Sequence, residues 1–449
     1  MIAENDQSKE TLFPPTLGLI IVFATVVRLS AVFLIHANGY YLTDEHQYVH
    51  MAQRILDGQG FVSENGELSS IAPLYIFSLA GIFSIFGSSL AVPHVIGSLF
   101  GIMIVILGYA ISLELFRSER AALLTAGVCA IYPSLVIYSG LLVTETLYIV
   151  LFLSALLVAL KMIETMTVGM GMFLGSVAAL ATLTRAVFFG FFPILLISIW
   201  WMRKGKRRHG VKPLILALIV WCLVLSPWTV RNYNVHHAFV PVSTGGGKVL
   251  LAGNNPFAPK SFRAVGFDEW LRQQALERGV RNLNALPEIE LFSVYKSIAL
   301  DFMLSHPFET LRLAVQKMHI FWVYPIAHSD SNIPVQMLVT GADVLLYLGA
   351  AIGLAACWQD RKRLAPLFVV IGFFCAVQVV LHSEARFRLP IAPFLCILCG
   401  YALMVLTERR KRKEFMMLRS RMIGLAVGIG SIILIYGYTC VLFLTGKIS

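Results

Sequence analysis

The succession of long apolar runs constrains this chain more than any other feature of its sequence. Many of the runs reach 17 or more residues, and a helix of about 20 apolar residues crosses the hydrocarbon core of a bilayer. Only 14% of the residues are charged, compared with about 25% in soluble globular domains. The sequence therefore excludes a soluble globular fold and predicts an all-α polytopic membrane protein.

The runs predict a bundle of about eleven transmembrane helices, formed by residues 1–449 as a single domain. The seven cysteines all fall within these runs, so we expect no structural disulfide. The runs lie near residues 17–35, 92–115, 120–138, 144–162, 168–184, 186–202, 212–229, 335–357, 364–381, 389–406 and 422–444.

Clusters of basic residues predict how the helices are oriented in the membrane. Three short clusters, at 203–212, 360–363 and 408–413, lie between apolar runs, and such clusters stay on the cytoplasmic side. If the first cluster is cytoplasmic, alternation of the spans places the other two inside as well. This anchoring role explains the net charge of +11 better than binding of nucleic acid, which we do not expect as a partner.

The same alternation places two long segments outside, residues 36–91 and 230–334. Within the first, the run 72–88 is short and interrupted by glycine, which is typical of a helix lying in the membrane interface. Within the second, 307–325 is amphipathic and predicts either another interfacial helix, with Lys317 on its polar side, or a twelfth span.

Two adjacent carboxylates open the first external segment, in "YLTDEHQYVH". Thr43 or Asp44 can cap a helix that begins here, with its carboxylates at the positive end of the helix dipole. A cap alone does not require both Asp44 and Glu45, and ionisable groups at membrane depth usually mark function. The alternative is therefore a general base for an acceptor hydroxyl. Glu145, in "VTETLY", either begins a helix or faces the same cavity.

The histidines beside this acidic pair have the spacing of metal ligands. His46 and His50 are four residues apart and share a helix face, but the sequence offers no convincing third ligand. We therefore expect no cofactor and no bound metal, with a divalent cation as the less favoured alternative.

Basic residues outside the cytoplasm are unexpected and suggest an anion site. Arg386 and Arg388, in "HSEARFRLP", lie beside a glutamate in a short external loop, where the alternative is an interfacial anchor with a weak salt bridge. Arg231 and Lys248 are also predicted to be external. The "GGGK" around Lys248 is not a P-loop because Val249 stands where that motif needs Ser or Thr, although its backbone amides could still bind a phosphate.

Together these segments resemble a known family. "TDEHQYVHMAQRILDGQGF", "APLY", "TETLY", "SPWTVRNYNV" with "GGGKVLLAGNNP", and "EARFRLPIAPF" resemble, in order, the landmarks of GT-C membrane glycosyltransferases. The chain looks most similar to the bacterial family-39-type branch, which includes protein O-mannosyltransferases and aminoarabinose transferases. The resemblance extends over nearly the whole chain.

The resemblance implies an inverting glycosyltransferase of the bacterial inner membrane whose active site faces away from the cytoplasm. Its donor would be a polyprenyl-phosphate-linked sugar, and its acceptor a hydroxyl of a glycan, lipid or protein. Asp44 would be the catalytic base with Glu45 in support, Glu145 a second acidic position, and Arg386 the arginine near the donor phosphate. The further candidates for substrate binding are Arg388, Arg231, Lys248, Tyr75 and His46.

Two rival functions fit a polytopic chain with buried charges, a transporter or lipid flippase and a polymerase or ligase of lipid-linked glycans. A transporter usually has internal repeats or helices interrupted near the midplane of the membrane. Here the charges are expected to gather in external loops rather than inside the spans, which favours the transferase.

Overall fold

A computed structural model of the protein describes residues 14–35, 42–203, 211–258, 261–323, 333–360, 363–409, 411–412 and 415. Regular structure in these residues is entirely helical, which confirms the predicted all-α fold. The α-helices are α1 Pro15–Ile35, α2 Thr43–Leu56, α3 Leu74–Phe86, α4 Ala91–Phe116, α5 Glu119–Ile131, α6 Pro133–Gly140, α7 Thr144–Glu164, α8 Val168–Thr184, α9 Phe188–Met202, α10 Val211–His236, α11 Gly246–Gly253, α12 Phe267–Glu277, α13 Glu288–Ser305, α14 Pro307–Val323, α15 Ile333–Ala356, α16 Ala365–Val380 and α17 Ala392–Thr407.

The described residues contain six helices that are long and apolar enough to cross a membrane. They are α1, α4, α7, α10, α15, and α17 together with the 3-10 helix Ala385–Ile391 that leads into it. A seventh span is formed if α5 and α6, which meet at an angle of 56°, are counted as one. The chain is therefore an integral membrane protein.

The predicted count of eleven spans is not confirmed. Three of the predicted spans are helices of only 17, 15 and 16 residues, α8, α9 and α16. At 1.5 Å per residue they reach about 22 to 26 Å, less than the roughly 30 Å of a bilayer core. The last predicted span, 422–444, lies outside the described residues.

A buried arginine holds the bend between α5 and α6. Arg28 of α1 is 0% exposed, and its guanidinium donates hydrogen bonds of 3.1 Å to the carbonyl oxygens of Cys129 and Ala130. These carbonyls end α5, where a cation interacts favourably with the helix dipole. A Cβ at Gly101 would lie 2.6 Å from Arg28 Nε, so this glycine makes room for the arginine. Arg28 is thus a partnered interior charge.

The placement of α14 differs from the prediction. Lys317, expected on an exposed polar face, is 2% exposed and donates to Asn254 Oδ1 at 3.1 Å and to the carbonyl of Val380 at 3.4 Å. The opposite face of the helix exposes Phe308 and Val315 instead. The lysine faces inward because α14 packs against the end of α16, where the carbonyl of Val380, which also accepts from Asn254 Nδ2 at 2.8 Å, accepts its hydrogen bond.

Candidate functional site

Two segments that are far apart in sequence meet at the beginning of α2. Asp44 lies in the first turn of α2, and its Oδ2 is 2.5 Å from Nη1 of Arg386, 342 residues further along the chain. Nε of the same arginine lies 2.7 Å from Oε2 of Glu384. Arg386 therefore bridges two carboxylates at the entrance to its 3-10 helix.

A second ion pair lies beside the first. Glu145, in the first turn of α7, is 2.8 Å from Arg185, which follows directly after α8. The ring of Phe387 lies between the two pairs, 5.5 Å from the guanidinium of Arg185 and 5.7 Å from that of Arg386. We call the three carboxylates and two guanidiniums the charge cluster; its members are Asp44, Glu145, Arg185, Glu384 and Arg386.

The charge cluster is partly open and strongly charged. Asp44 exposes 31% of its side chain and Arg386 21%, so a ligand can reach both. Burial raises the pKa of Glu384, but hydrogen bonds and charge from His382 and Arg386 outweigh burial and lower that pKa to about 2. Burial and the nearby charges of Asp44 and Glu145 raise the pKa of Tyr48, so its phenol stays protonated beside the cluster.

Glu45 turns away from its neighbour Asp44 and supports the helix. Its Oε2 accepts a hydrogen bond of 2.8 Å from the amide of Leu42, and its Oε1 one of 2.8 Å from the amide of Leu142. The first bond caps α2, so neither Thr43 nor Asp44 is the cap that the sequence suggested. The second bond ties the start of α2 to the segment leading into α7, and it brings Asp44 close to Glu145.

Two of the arginines predicted to bind substrate lie outside the charge cluster. Arg388 is 1% exposed and forms a buried ion pair with Asp343 of α15. Arg231 donates hydrogen bonds of 2.7 Å to the carbonyl of Leu68 and to Ser69 Oγ, and it stacks 4.7 Å from the ring of Trp228. Each guanidinium is thus engaged in joining segments of the protein.

The remaining candidates are scattered. Tyr75 packs edge-on against Tyr48 at 5.7 Å and so borders the charge cluster. Lys248 is exposed in α11, 5.5 Å from the ring of Phe262. His46 faces Glu64 at 3.2 Å instead of the charge cluster.

The two histidines of α2 share Glu64 as a partner. His46 and His50 stack with ring centroids 6.1 Å apart, and Nδ1 of each lies within 3.5 Å of the same carboxylate oxygen. Across the described part of the chain, no group of three or more His, Cys, Asp or Glu side chains is arranged to hold a metal ion.

The glycines before Lys248 allow close packing of the backbone. A Cβ at Gly245 would lie 2.6 Å from the carbonyl oxygen of Ser70, and one at Gly247 would lie 2.5 Å from that of Phe292. The segment is therefore rich in glycine because the backbones at Ser70 and Phe292 approach it closely. This close packing explains the glycines without a bound phosphate.

Arg185 and Asp343 were not predicted from the sequence. Arg185 follows a predicted span on its external side, so the argument that identified Arg386 would also have found it. Asp343 lies inside α15 and is 0% exposed, so the expectation that charges avoid the spans was wrong at this position. A single carboxylate in a long apolar run carries the signal that was overlooked.

Comparison with known proteins identifies the fold. No protein-family model matches the chain, and no curated protein matches it. Among solved structures, the oligosaccharyltransferase AglB from Archaeoglobus fulgidus, in complex with an inhibitory peptide and a dolichol-phosphate, is similar at 17% identity over 93% of this chain, with a TM-score of 0.56. The apo form of that enzyme matches at 16% identity over 96% of this chain, again with a TM-score of 0.56.

The chain spans about half the length of AglB, 54% of that chain in the first comparison. ArnT from Cupriavidus metallidurans is also similar, at 14% identity over 87% of this chain and 78% of that one, but a TM-score of 0.41 is too low to identify a fold. The match to AglB confirms the GT-C fold that the sequence resemblance implied. At this identity it shows the fold alone.

Proposed function

We propose that this protein is a membrane glycosyltransferase that moves a sugar from a polyprenyl-phosphate donor to an acceptor hydroxyl on the extracytoplasmic side. The acceptor is a glycan, a lipid or a protein, and the membrane belongs to the bacterial cell envelope. The contact between Asp44 and Arg386 is the observation that carries the proposal. It joins a candidate base to a candidate phosphate ligand on a fold shared with AglB, a structure of which holds a dolichol-phosphate.

The reaction needs one base and fixed positive charge. The acceptor oxygen attacks the anomeric carbon from the face opposite the phosphate, and Asp44 takes the proton of the acceptor hydroxyl. The bond between the anomeric carbon and the phosphate oxygen breaks, so the product is inverted and the lipid leaves as a phosphate monoester. The charge that develops on the phosphate is stabilised by Arg386 and Arg185, which are fixed in place before the reaction.

Binding of the donor releases the base. In the free protein Arg386 is shared between Asp44 and Glu384. A donor phosphate that takes over Nη1 of Arg386 separates it from Asp44, whose carboxylate then faces the acceptor. Glu45 stays bonded to backbone amides throughout and keeps the first turn of α2 in place.

The decisive experiment compares sugar transfer by the wild type and by Asp44→Asn in membranes supplied with labelled polyprenyl-phosphate sugars. The substitution preserves shape and removes the base. Because a general base contributes about 10²- to 10⁴-fold, we expect transfer to fall at least about a hundredfold at equal protein abundance. Transfer by Asp44→Asn at the wild-type rate would refute the assignment of Asp44.

Asp57→Asn is the matched control. Asp57 ends the same helix α2, is exposed, and lies at the end of the helix opposite to Asp44. The variant Asp57→Asn loses the same charge as Asp44→Asn, and we expect it to transfer sugar at close to the wild-type rate. An equal loss in both variants would attribute the effect to the charge of the helix rather than to the base.

The same membranes test transport and glycan ligation. The bent pair α5–α6 and the ion pair between Asp343 and Arg388 are features that transporters also use. If the wild type consumes no donor while lipid or solute crosses the membrane, the protein is a transporter. If it transfers only preassembled lipid-linked glycans, it is a ligase or polymerase.

A further inference from the structure

The 3-10 helix Ala385–Ile391 carries two arginines with different surroundings. A 3-10 helix has about three residues per turn, so residues two apart lie about 120° apart around its axis. Arg386 accordingly contacts Asp44 in the charge cluster, whereas Arg388 is buried in the protein interior. The sequence made both arginines candidates for an anion site, and the family resemblance assigned only Arg386 to the donor phosphate; the structure separates the two.

Arg388 is the centre of a junction between four segments. Its Nη2 pairs with Oδ2 of Asp343 in α15, and its Nη1 donates a hydrogen bond of 2.9 Å to the carbonyl of Phe321 at the end of α14. The other carboxylate oxygen of Asp343 accepts a hydrogen bond from the hydroxyl of Tyr132, which lies at the bend between α5 and α6. Arg388 and Asp343 are both almost fully buried.

Such a junction resists displacement. Both carboxylate oxygens of Asp343 and both terminal nitrogens of Arg388 form hydrogen bonds, so displacing any one of the four segments breaks a buried hydrogen bond. Turning the 3-10 helix about its axis would separate a buried charge from its partner inside membrane-spanning helices, where an unpaired charge is costly. The position of Arg386, only two residues away, is therefore coupled to the ion pair between Asp343 and Arg388.

We propose that Arg388, together with Asp343, is a positioning residue for Arg386. The pair fixes the rotation of the 3-10 helix so that the guanidinium of Arg386 reaches Asp44 in the free protein and the phosphate of the donor in the complex. The inference rests on the proposed function for its consequence in sugar transfer, but not for its consequence in binding a lipid phosphate. Misplacement of a charged ligand by about 1 Å is enough to cost about a hundredfold in rate.

A purely structural role makes a different prediction. Replacing a buried ion pair by apolar side chains of similar volume is often neutral for stability. The double variant Asp343→Leu with Arg388→Met therefore removes the coupling while it keeps the interior filled. The matched control is Ser112→Ala with Thr125→Val, which removes a buried hydroxyl pair at 3.0 Å between α4 and α5.

The test measures binding of polyprenyl phosphate without sugar, the rate of transfer, and the melting temperature. We call the variant Asp343→Leu with Arg388→Met the apolar pair, and Ser112→Ala with Thr125→Val the control pair. We expect the two variants to have similar melting temperatures. We expect the apolar pair to bind polyprenyl phosphate at least about tenfold more weakly than the wild type, the effect of losing one charged hydrogen bond. We also expect its kcat for transfer to fall, while the control pair keeps the kcat of the wild type.

A double-mutant cycle with Arg386→Gln distinguishes positioning from general damage. In the wild-type background Arg386→Gln should weaken binding of polyprenyl phosphate about tenfold or more. In the apolar-pair background the same substitution should cost much less, because Arg386 is already displaced. Equal costs in the two backgrounds would show that the ion pair does not act through Arg386, and the proposal would be withdrawn.

Arg388→Lys covers the case in which the apolar pair does not fold. It keeps the charge but loses the planar fork that joins Asp343 to the end of α14, and we expect intermediate binding in a folded protein. Wild-type affinity in Arg388→Lys would contradict the proposal. If the wild type binds polyprenyl phosphate but transfers no sugar, the proposed function fails while positioning is still decided by binding. If the wild type binds no polyprenyl phosphate, both fail.

Discussion

At the scale of single residues, the charge cluster depends on one arginine that pairs with two carboxylates at once. Arg386 contacts Asp44 and Glu384, and the cluster holds three carboxylates against two guanidiniums. Under the proposed function, an anionic donor would have to compete with carboxylates that the protein itself provides. We expect this competition to disfavour neutral ligands, because they cannot replace Asp44 as the counter-ion of Arg386.

The first prediction at this scale concerns Glu384 and pH. The pKa of Glu384 in the folded protein, about 2, lies below its ordinary value of 4.5. Its contribution to stability is therefore complete above about pH 4.5 and is lost as the pH falls towards 2. We expect Glu384→Gln to lower the melting temperature at pH 7, and we expect the difference from the wild type to shrink between pH 5 and about pH 3.

Melting curves in detergent across this pH range provide the measurement. Glu290→Gln, at an exposed position of α13, is the control for loss of a carboxylate as such. A difference between Glu384→Gln and the wild type that stays constant down to pH 3 would show that the ion pair with Arg386 does not stabilise the fold.

At the scale of helices, α14 determines how the long segment 230–334, which is predicted to be external, joins the helix bundle. Lys317 lies level with Val380 at the end of α16, and the carbonyl of Trp322 accepts a hydrogen bond of 3.0 Å from the hydroxyl of Tyr347, midway along α15. The helix therefore descends into the bundle instead of lying flat. Phe308 precedes Lys317 by nine residues, so it lies about 14 Å from Lys317 along the helix axis at 1.5 Å per residue, towards the end of α14 that is farther from the bundle interior.

The exposed side of α14 is apolar, as expected of a surface that touches lipid. Phe308, Leu311 and Val315 are 89%, 64% and 66% exposed and lie on one face, since they follow the helical repeat. Leu313 and Lys317 are buried on the opposite face. A large exposed apolar stripe beside membrane spans favours burial in lipid.

The second prediction follows from this stripe. A photoreactive phenylalanine analogue placed at Phe308 or at Val315, in protein embedded in lipid nanodiscs, should form cross-links to phospholipid. The same analogue at Leu313 should cross-link within the protein, because that position is 1% exposed. Mass spectrometry of the products distinguishes cross-links to phospholipid from cross-links within the protein. Cross-links from Phe308 to protein alone would mean that another polypeptide covers the stripe.

At the scale of the whole molecule, the orientation in the membrane rests on the basic clusters of the sequence. The charge cluster lies at the ends of α2, α7 and α8, on the side where the two long connecting segments emerge. If 203–212 is cytoplasmic, that side is extracytoplasmic, where a lipid-linked donor would be used.

The third prediction tests this orientation. A cysteine introduced at Asp57 should react with a membrane-impermeant maleimide in intact cells, in a background from which the native cysteines have been removed. A cysteine at Thr165, in the exposed turn between α7 and α8, should react only in inverted vesicles or after permeabilisation. The reverse pattern would place the charge cluster in the cytoplasm and would exclude a donor used on the outer side.

The sequence by itself determined the fold class of the molecule and indicated part of its candidate site. The length of the apolar runs predicted an all-α membrane protein, because a single segment can cross the bilayer core only if its backbone hydrogen bonds are formed within its own helix. Carboxylates and arginines in segments predicted to be external made Asp44, Glu145 and Arg386 candidates, since ionisable groups at membrane depth usually mark function, and the structure places the three in one cluster. The number of spans was not determined, because α8, α9 and α16 have only 15 to 17 residues and are shorter than a bilayer core requires.

Only the tertiary structure decided which charges meet. Asp44 and Arg386 are 342 residues apart, and no local pattern reveals that the folding of the spans brings them to 2.5 Å. Arg386 and Arg388 lie two residues apart in one short segment, but the turn of the 3-10 helix places Arg386 in the charge cluster and Arg388 against Asp343. Residue type and spacing indicate what chemistry a side chain can perform. Which partner it contacts depends on the packing of segments that are far apart in sequence, and the periodicity of one segment carries no information about that packing.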